Sequence, residues 1–132
     1  MKLVRPWEEE GITIPEPYKR TIKTIFSPDE EKGGIKELLF TQAIIHPHSQ
    51  TDYHTHDRPE LIYVVYGRGV SVCEGEEIEI QSDMALWVPA GEKHQIKNTG
   101  DETMKLATVF VPGFSWKENV KRCQEAAQKR GS

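Results

Sequence analysis

The chain has 132 residues, and its 17 Lys and Arg residues against 21 Asp and Glu residues give a net charge of -4. This length predicts one domain with its own apolar core. The acidic balance, without a long basic block, argues against nucleic acid or anionic membranes as partners. No stretch approaches the roughly 20 apolar residues of a membrane span, and consecutive acids at Glu8-Glu9-Glu10 do not suit a signal peptide, so we expect a cytoplasmic protein.

The first segment, residues 1–34, is predicted to be an extended arm that contains a short strand. Residues 21–26 alternate isoleucine with polar side chains, which predicts that strand. We expect the arm to lie over the domain or over a neighbouring subunit. Prolines break up helices in this segment and favour extended chain and turns, at Pro6, Pro15, Pro17 and Pro28.

Residues 35–112 are filled by short β-type runs with turn residues between them. Glycines at Gly67, Gly69 and Gly75 are expected to supply the positive φ angles that tight turns need. Because no helical pattern intervenes, the runs favour an antiparallel sandwich or barrel. The predicted strands are residues 37–46, 53–56, 61–66, 70–74, 77–80, 84–88, 94–98 and 104–111.

The last segment, residues 113–132, changes to a helical period. Ser115-Trp116-Lys117-Glu118 has the sequence of a capping box, which marks the start of a helix. We predict an amphipathic helix over residues 115–129 that packs on the barrel. Its apolar stripe consists of Trp116, Val120, Cys123 and Ala127.

The strand at residues 61–65 is apolar on both faces. One face is expected to line the barrel and the other to meet a second sheet or another subunit. The outer face would carry Leu61, Tyr63 and Val65. With the proline-rich arm, this face predicts a homodimer.

Three histidines and one carboxylate recur at spacings that favour one metal site. Residues two apart on a strand point to the same face, so His54 and His56 are expected side by side while Thr55 faces away. Glu60 follows on the same face at the start of the next strand, and His94 arrives after a turn. This set suits one divalent ion (iron, manganese, nickel, zinc or copper) and leaves positions open for substrate or water, which favours chemistry over a structural ion.

A second histidine pair offers an alternative ligand set. His46-Pro47-His48 repeats the spacing of two, so His46, His48, His54 and His56 could form a rival site. Pro47 cannot donate to a sheet ladder and tends to mark a strand end. No carboxylate follows this pair at a useful spacing, which makes the rival the weaker hypothesis.

The two cysteines do not enter either ligand set. Cys73 and Cys123 are the chain's 2 cysteines and lie far apart in the sequence. They form neither a disulfide framework nor a thiolate zinc pattern. We expect two free thiols.

These residues resemble the motifs of the cupin superfamily, a group of small jelly-roll metalloproteins. The family's first motif, G-x5-H-x-H-x3-4-E-x6-G, is matched by His54, His56, Glu60 and Gly67. Its second motif, G-x5-P-x-G-x2-H-x3-N, is matched by Pro89, Gly91, His94 and Asn98. His48 and Asp83 stand where the family usually has glycine, so we expect the turns before the two ligand strands to differ.

The resemblance covers about residues 35–112 and implies an all-β fold. That fold is an antiparallel double-stranded β-helix, the jelly-roll or cupin barrel, with the N-terminal arm and the C-terminal α-helix outside it. The resemblance also implies that one divalent transition-metal ion is held by His54, His56, Glu60 and His94.

Proteins similar to small cupins catalyse many unrelated reactions, so the fold does not choose among them. We expect a metal-dependent enzyme of dioxygenase, isomerase or lyase type that acts on a small polar, oxygenated or carboxylated metabolite. The alternative is a non-catalytic module that binds a sugar or an acid. Arg58 and His48 are the predicted substrate contacts, Tyr53 and Tyr63 are expected to pack or to lie at an interface, and no residue is assigned as a general base.

Overall fold

The computed structural model describes residues 1–131 and consists mainly of β-strands, followed by one helix. The helix α1 spans Trp116–Gly131, and short 3₁₀ turns occur at Pro6–Glu8 and Glu30–Lys32. The strands of the described part are β1 (Ile12–Ile14), β2 (Arg20–Phe26), β3 (Leu39–Ile45), β4 (Glu60–Tyr66), β5 (Arg68–Cys73), β6 (Glu76–Gln81), β7 (Ala85–Val88), β8 (His94–Asn98) and β9 (Met104–Phe110).

The strands form two antiparallel sheets that share one core, as the jelly-roll prediction requires. The larger sheet has the order β1-β2-β3-β9-β4-β7, and the smaller has the order β6-β5-β8. The chain crosses repeatedly between the sheets, because β5, β6 and β8 lie in the smaller sheet whereas β4, β7 and β9 lie in the larger one. The all-β double-stranded β-helix predicted from the sequence is confirmed.

Alternating side chains of both sheets build the core inside the barrel. In β3 and β9, every second residue is buried, which is the period-two pattern of a strand with one covered face. Burial of each large aliphatic side chain contributes roughly 1.5–3 kcal/mol. The core cluster contains Ala43, Ile45, Ile62, Val64, Ile80, Val88, Ile96, Met104 and Leu106.

Helix α1 packs against the N-terminal strands and forms a second cluster with them. The predicted stripe is confirmed, because Val120, Cys123 and Ala127 are buried together with Ile14 and Ile22. The arm therefore belongs to its own domain, because β1 and β2 extend the larger sheet at its edge and pack against the helix. No helix within residues 1–131 has the length and apolar character needed to cross a bilayer.

The helix begins with a cap that the sequence did not indicate. Asp29, from the arm, accepts hydrogen bonds from the Trp116 main-chain N–H at 3.0 Å and from the Ser115 hydroxyl at 2.8 Å. The Ser115 oxygen accepts from the Lys117 N–H at 3.2 Å, one residue short of the capping-box position. The arm thus fixes where the helix starts.

Seven of the eight strands predicted within residues 35–112 are confirmed, with ends that differ by up to two residues. The strand predicted at residues 53–56 is wrong. His54 makes only an isolated antiparallel bridge with His94, because this stretch belongs to the long loop between β3 and β4, which runs along β8 of the smaller sheet. Thr55 is nevertheless exposed between two less exposed histidines, so the alternation of side chains persists in the loop.

The turns before the ligand segments keep a left-handed backbone without glycine. His48 has φ 59° and Asp83 has φ 71°, and both angles lie in the region that glycine enters freely. The absence of glycine therefore does not abolish positive φ at either position. Gly67 has φ 97° as expected, whereas Gly69 lies inside β5 opposite Asn98 and serves close strand packing instead.

The helix cap gives a stability prediction. Asp29→Ala is expected to lower the free energy of unfolding by about 1–2 kcal/mol, because the first turn of α1 loses its side-chain acceptor. Urea denaturation followed by circular dichroism measures the change. Glu30→Ala, at the next position, is the matched control and should change stability by less than about 0.5 kcal/mol. Equal losses in both variants would contradict the role of Asp29 as the cap.

Candidate metal centre

The structure brings the four predicted ligand residues together at one end of the barrel. His54 and His56 come from the loop between β3 and β4, Glu60 is the first residue of β4, and His94 is the first residue of β8. Mutual main-chain hydrogen bonds join His54 and His94, at 3.0 Å from the His54 N–H and 2.9 Å from the His94 N–H. These bonds hold the loop against the smaller sheet.

The ligand atoms converge on one point. The three histidines each offer a ring nitrogen, and these nitrogens lie within 4.8 Å of one another. The Nε2 atoms of His54 and His56 are 2.8 Å apart. Glu60 Oε1 lies 3.0 Å from His94 Nε2 and 3.5 Å from His56 Nε2. The three imidazoles and the carboxylate therefore form one cluster.

Main-chain carbonyls orient two of the imidazoles. The Nδ1–H of His54 donates to the Asp52 carbonyl at 2.6 Å, and that of His94 donates to the Glu92 carbonyl at 2.9 Å. Because a carbonyl only accepts, Nδ1 carries the proton in both rings, and Nε2 is the atom that faces the cluster. Histidine ligands of metals commonly have this second hydrogen bond, which fixes the tautomer and the ring orientation.

The donor set fits a divalent transition-metal ion. Atoms bound to one ion at about 2.1 Å lie roughly 3–3.5 Å from one another, and the distances from Glu60 Oε1 to His94 and His56 fall in that range. Two Nε2 atoms at 2.8 Å need a shared proton or a cation between their lone pairs. The cluster of neutral nitrogens and one carboxylate is the chemistry that such ions prefer.

Burial controls the protonation of the histidines. It lowers the pKa of His54 and of His56 to about 2, assisted by neighbouring positive charge from Arg122 and the other rings. Burial also acts to lower the pKa of His94, but hydrogen bonds to Glu60 and to the Glu92 carbonyl outweigh it, and the pKa is raised. The hydrogen bond to Glu60 thus stabilises the imidazolium form of His94, and a metal at His94 Nε2 would compete with the proton on that atom.

A cavity opens beside the cluster and reaches from the barrel to helix α1. Its volume is about 60 Å³, which is room for about four water molecules or for a small ligand of a few atoms. All four ligand residues line it, together with apolar side chains from both sheets. The further polar residues in its wall are Arg20, Thr41, Thr51, Thr108, Asn119 and Arg122.

Three charged residues near the cluster were not predicted from the sequence. Asp52 is buried, and its Oδ2 lies 3.0 Å from Arg122 Nη1 and 3.5 Å from His54 Nδ1. Its Oδ1 lies 3.6 Å from Arg20 Nη2. A signal existed for Arg20, which shares the inward parity of Ile22 on β2 and is only 3% exposed. No comparable signal places Arg122 or Asp52.

The two predicted substrate contacts lie elsewhere. Arg58 pairs with Asp57, donates to the carbonyls of Pro112 and Gly113, and sits 4.4 Å above the Phe114 ring, so it ties the segment after β9 to the loop. It does not line the cavity. The structure therefore does not bring Arg58 to the cluster, because its donors are used in a surface tie.

The second histidine pair also stays apart from the cluster. His48 is exposed, and its Nε2 lies 2.7 Å from Asp101 Oδ1. Neither His46 nor His48 lines the cavity, so the rival ligand set is not assembled. The left-handed turn at His48 directs this residue to the surface instead of the cavity mouth.

Comparison with known proteins now assigns the family. A model of the cupin domain matches residues 42–111. The chain belongs to the cupin family. The matched segment contains all four predicted ligand residues of this cupin, whereas Arg20 and Arg122 lie outside it.

Individual relatives are distant. The oxalate-binding protein of Thermotoga maritima is 29% identical over 77 residues, which are 58% of this chain and 64% of that protein. An acireductone dioxygenase of Nostoc sp. is 30% identical over 83 residues, which are 59% of this chain and 44% of the enzyme. Among solved structures, a predicted oxalate decarboxylase from Thermotoga maritima superposes with a TM-score of 0.75 at 23% sequence identity. The superposition covers 84% of this chain and 99% of that protein's chain. That likeness confirms the fold.

The histidine pKa values predict how stability depends on pH. Because the pKa of His54 and His56 is about 2 in the fold against about 6.5 unfolded, the unfolded chain binds more protons between these values. The two residues make their full contribution to the free energy of unfolding above about pH 6.5. As the pH falls below this value, each residue loses at most about 1.4 kcal/mol of that contribution per pH unit. His94 acts in the opposite direction, because its pKa is raised in the fold. Its contribution to the free energy of unfolding is complete below the unfolded pKa and is lost as the pH rises through the folded pKa.

Urea unfolding of the metal-free protein between pH 7 and pH 5 measures this dependence. The control is a His54→Asn, His56→Asn double variant, which lacks both titrating rings. We expect the wild type to lose stability more steeply than the double variant as the pH falls. Identical slopes would show that the two rings are not held neutral by the fold.

Proposed function

We propose that this cupin is a metal-dependent enzyme that acts on a small oxygenated or carboxylated metabolite, by dioxygenase, isomerase or lyase chemistry. The observation that carries the proposal is the convergence of three imidazole nitrogens and the Glu60 carboxylate in the wall of an open cavity. A structural ion needs a closed ligand shell, whereas this cluster borders space that a substrate can enter. The ion would be iron, manganese, nickel, copper or zinc.

The chain's own groups define what the site can do. His54, His56, Glu60 and His94 would hold the ion, which supplies Lewis acidity or, if it is redox-active, access to oxygen chemistry. Phe110 packs against His56 with ring centroids 4.7 Å apart and limits its rotation. Apolar side chains of both sheets exclude water from the inner wall. The site therefore offers a fixed ligand cluster in a cavity whose wall combines apolar side chains with further polar residues such as Arg20 and Arg122.

The relatives support this class of substrate and also its main alternative. One distant relative is named an acireductone dioxygenase, which supports an enzyme that acts on a small oxygenated molecule. Another is named an oxalate-binding protein, which supports a non-catalytic cupin that binds a small acid. Turnover distinguishes the two, because a binding protein returns its ligand unchanged.

Metal content gives the first test. We expect the purified wild type to bind one divalent ion per chain and His56→Ala to bind it at least about 100-fold more weakly, because a ligand is lost. Elemental analysis after dialysis and competition with a chelator measure both. His48→Ala removes an exposed histidine outside the cluster and should bind metal like the wild type. Absence of stoichiometric metal in the wild type, or unchanged affinity in His56→Ala, would refute the proposal.

The outer face of β4 and β7 supports a second proposal, that two copies form a homodimer. Leu61 lies opposite Trp87 in the strand register, and Tyr63 and Val65 continue the same exposed face. Trp87 is 61% exposed, which is unusual for a tryptophan on a single soluble domain. A two-fold axis through this face would cover it with its own copy and requires no other partner.

Sedimentation at micromolar concentration tests the dimer. The wild type is expected to sediment as a dimer, and a Leu61→Lys, Trp87→Lys variant as a monomer, since two charges would be buried at the interface. Ile78→Lys, at an exposed site on β6 of the smaller sheet, is the control and should remain dimeric. A monomeric wild type would contradict this arrangement.

A further inference from the structure

Two arginines from opposite ends of the chain meet in the wall of the cavity. Arg20 comes from β2, and Arg122 comes from helix α1, which closes that side of the barrel. The cupin match at residues 42–111 contains neither of them. The arginine pair is thus supplied by the arm and the helix that surround the cupin domain.

The hydrogen bonds of Arg122 leave part of its guanidinium unused. Its Nη1 donates to Asp52 Oδ2 at 3.0 Å, and its Nη2 donates to the Cys123 sulfur at 3.3 Å. Its Nε is buried and has no hydrogen-bond partner within residues 1–131, and the same holds for Asp52 Oδ1. A buried polar network is costly when it is only partly satisfied, so the Arg122 Nε–H remains available to donate to an acceptor that enters the cavity, either a water molecule or an oxygen of a ligand.

The charges around the cavity favour an anion as that acceptor. Arg20 and Arg122 are positive, and Glu60 and Asp52 are negative, so these four side chains balance. A divalent ion on the ligand cluster would leave the site with a charge of about +2. A small anion that enters the cavity would offset this charge at little cost, because the surrounding positive groups replace its lost hydration.

We propose that Arg122, supported by Arg20, binds the carboxylate of a small organic acid whose other oxygen groups face the ligand cluster. The inference rests on the proposed function and deepens it by naming the substrate class and the residues that select it. A guanidinium presents several donors in one plane and matches a carboxylate with two hydrogen bonds. Helix α1 is then part of the substrate site.

A purely structural role for the pair is the competing explanation. In that case Arg122 only neutralises Asp52, which lies beside His54, and keeps the helix in place. The two roles predict different binding when Asp52 is neutralised as well. If Arg122 contacts the substrate, an Arg122→Gln, Asp52→Asn variant still lacks that contact and binds weakly. If Arg122 only balances the charge of Asp52, the same variant has no charge to balance and binds like the wild type.

Isothermal titration with acetate, glycolate, malonate and succinate tests the subsite, with malonamide as the uncharged analogue. We expect the metal-loaded wild type to bind at least one of these acids and not the amide. Arg122→Gln should weaken that binding about tenfold or more, the value of a hydrogen bond to a charged group. Lys121→Gln removes a charge from the exposed face of the same helix and should bind like the wild type.

The double variant decides between the two roles. Persistent weak binding in Arg122→Gln, Asp52→Asn, with metal content and unfolding midpoint like those of the wild type, supports the carboxylate subsite. Recovery of wild-type affinity in that variant overturns it, as would a wild type that binds none of the four acids. Arg122→Lys keeps the positive charge but cannot make two parallel hydrogen bonds to a carboxylate, so it should retain only part of the affinity for the acid. Its affinity therefore separates the contribution of the charge from that of the two hydrogen bonds.

The same titration on chelator-treated protein separates this proposal from the metal proposal. Acid binding that depends on Arg122 in a protein without stoichiometric metal would refute the metal-dependent enzyme and retain the subsite. Stoichiometric metal together with acid binding that is indifferent to Arg122 would refute the subsite and retain the metal centre.

Discussion

The site depends on one pair of main-chain hydrogen bonds, those that His54 and His94 exchange. The loop before β4 forms no strand there, and this pair completes a row of loop contacts to β8 in which the Thr51 N–H donates to the Ile96 carbonyl and the Asn98 N–H donates to the Ser49 carbonyl, both at 2.9 Å. With the bridge in place, two rings of the loop face a third ring on β8, and Glu60 enters from β4. The carbonyls of Asp52 and Glu92 then fix the tautomers, so the backbone orders the cluster before any ion binds.

The surroundings of the cluster are held by elements outside the cupin domain. Asp29 in the arm fixes the start of helix α1, and the apolar stripe of the helix packs on β1 and β2. Together these contacts bring Arg122 against the buried carboxylate of Asp52. Burial of such charges is costly unless they are paired, which explains why the arm, helix and loop meet through an ion network. The same packing closes one side of the cavity.

Backbone strain marks the two turns that depart from the family motif. A residue with a side chain in the left-handed region costs roughly 1–2 kcal/mol relative to the ordinary helical region. His48 and Asp83 both adopt it. His48 faces Asp101, and the hydroxyl of Tyr63 donates to Asp83, so each turn gains a side-chain contact that glycine could not make. A motif that requires glycine at these two positions would therefore fail to match this chain, although its backbone has the same left-handed conformation there.

The sequence by itself determined the strand pattern, the C-terminal helix and the four residues of the cluster. Period-two alternation and ligand spacing are local properties, and they survive even where the strand predicted at residues 53–56 becomes a loop. Only the tertiary structure decided which charged residues border the cluster, although the inward parity that Arg20 shares with Ile22 on β2 is a property of the sequence. It turned Arg58 and His48 to surface partners and placed Arg20 and Arg122 in the cavity. The physical reason is that contacts between residues about a hundred positions apart depend on how the arm and the helix pack, and no spacing along the chain encodes that packing.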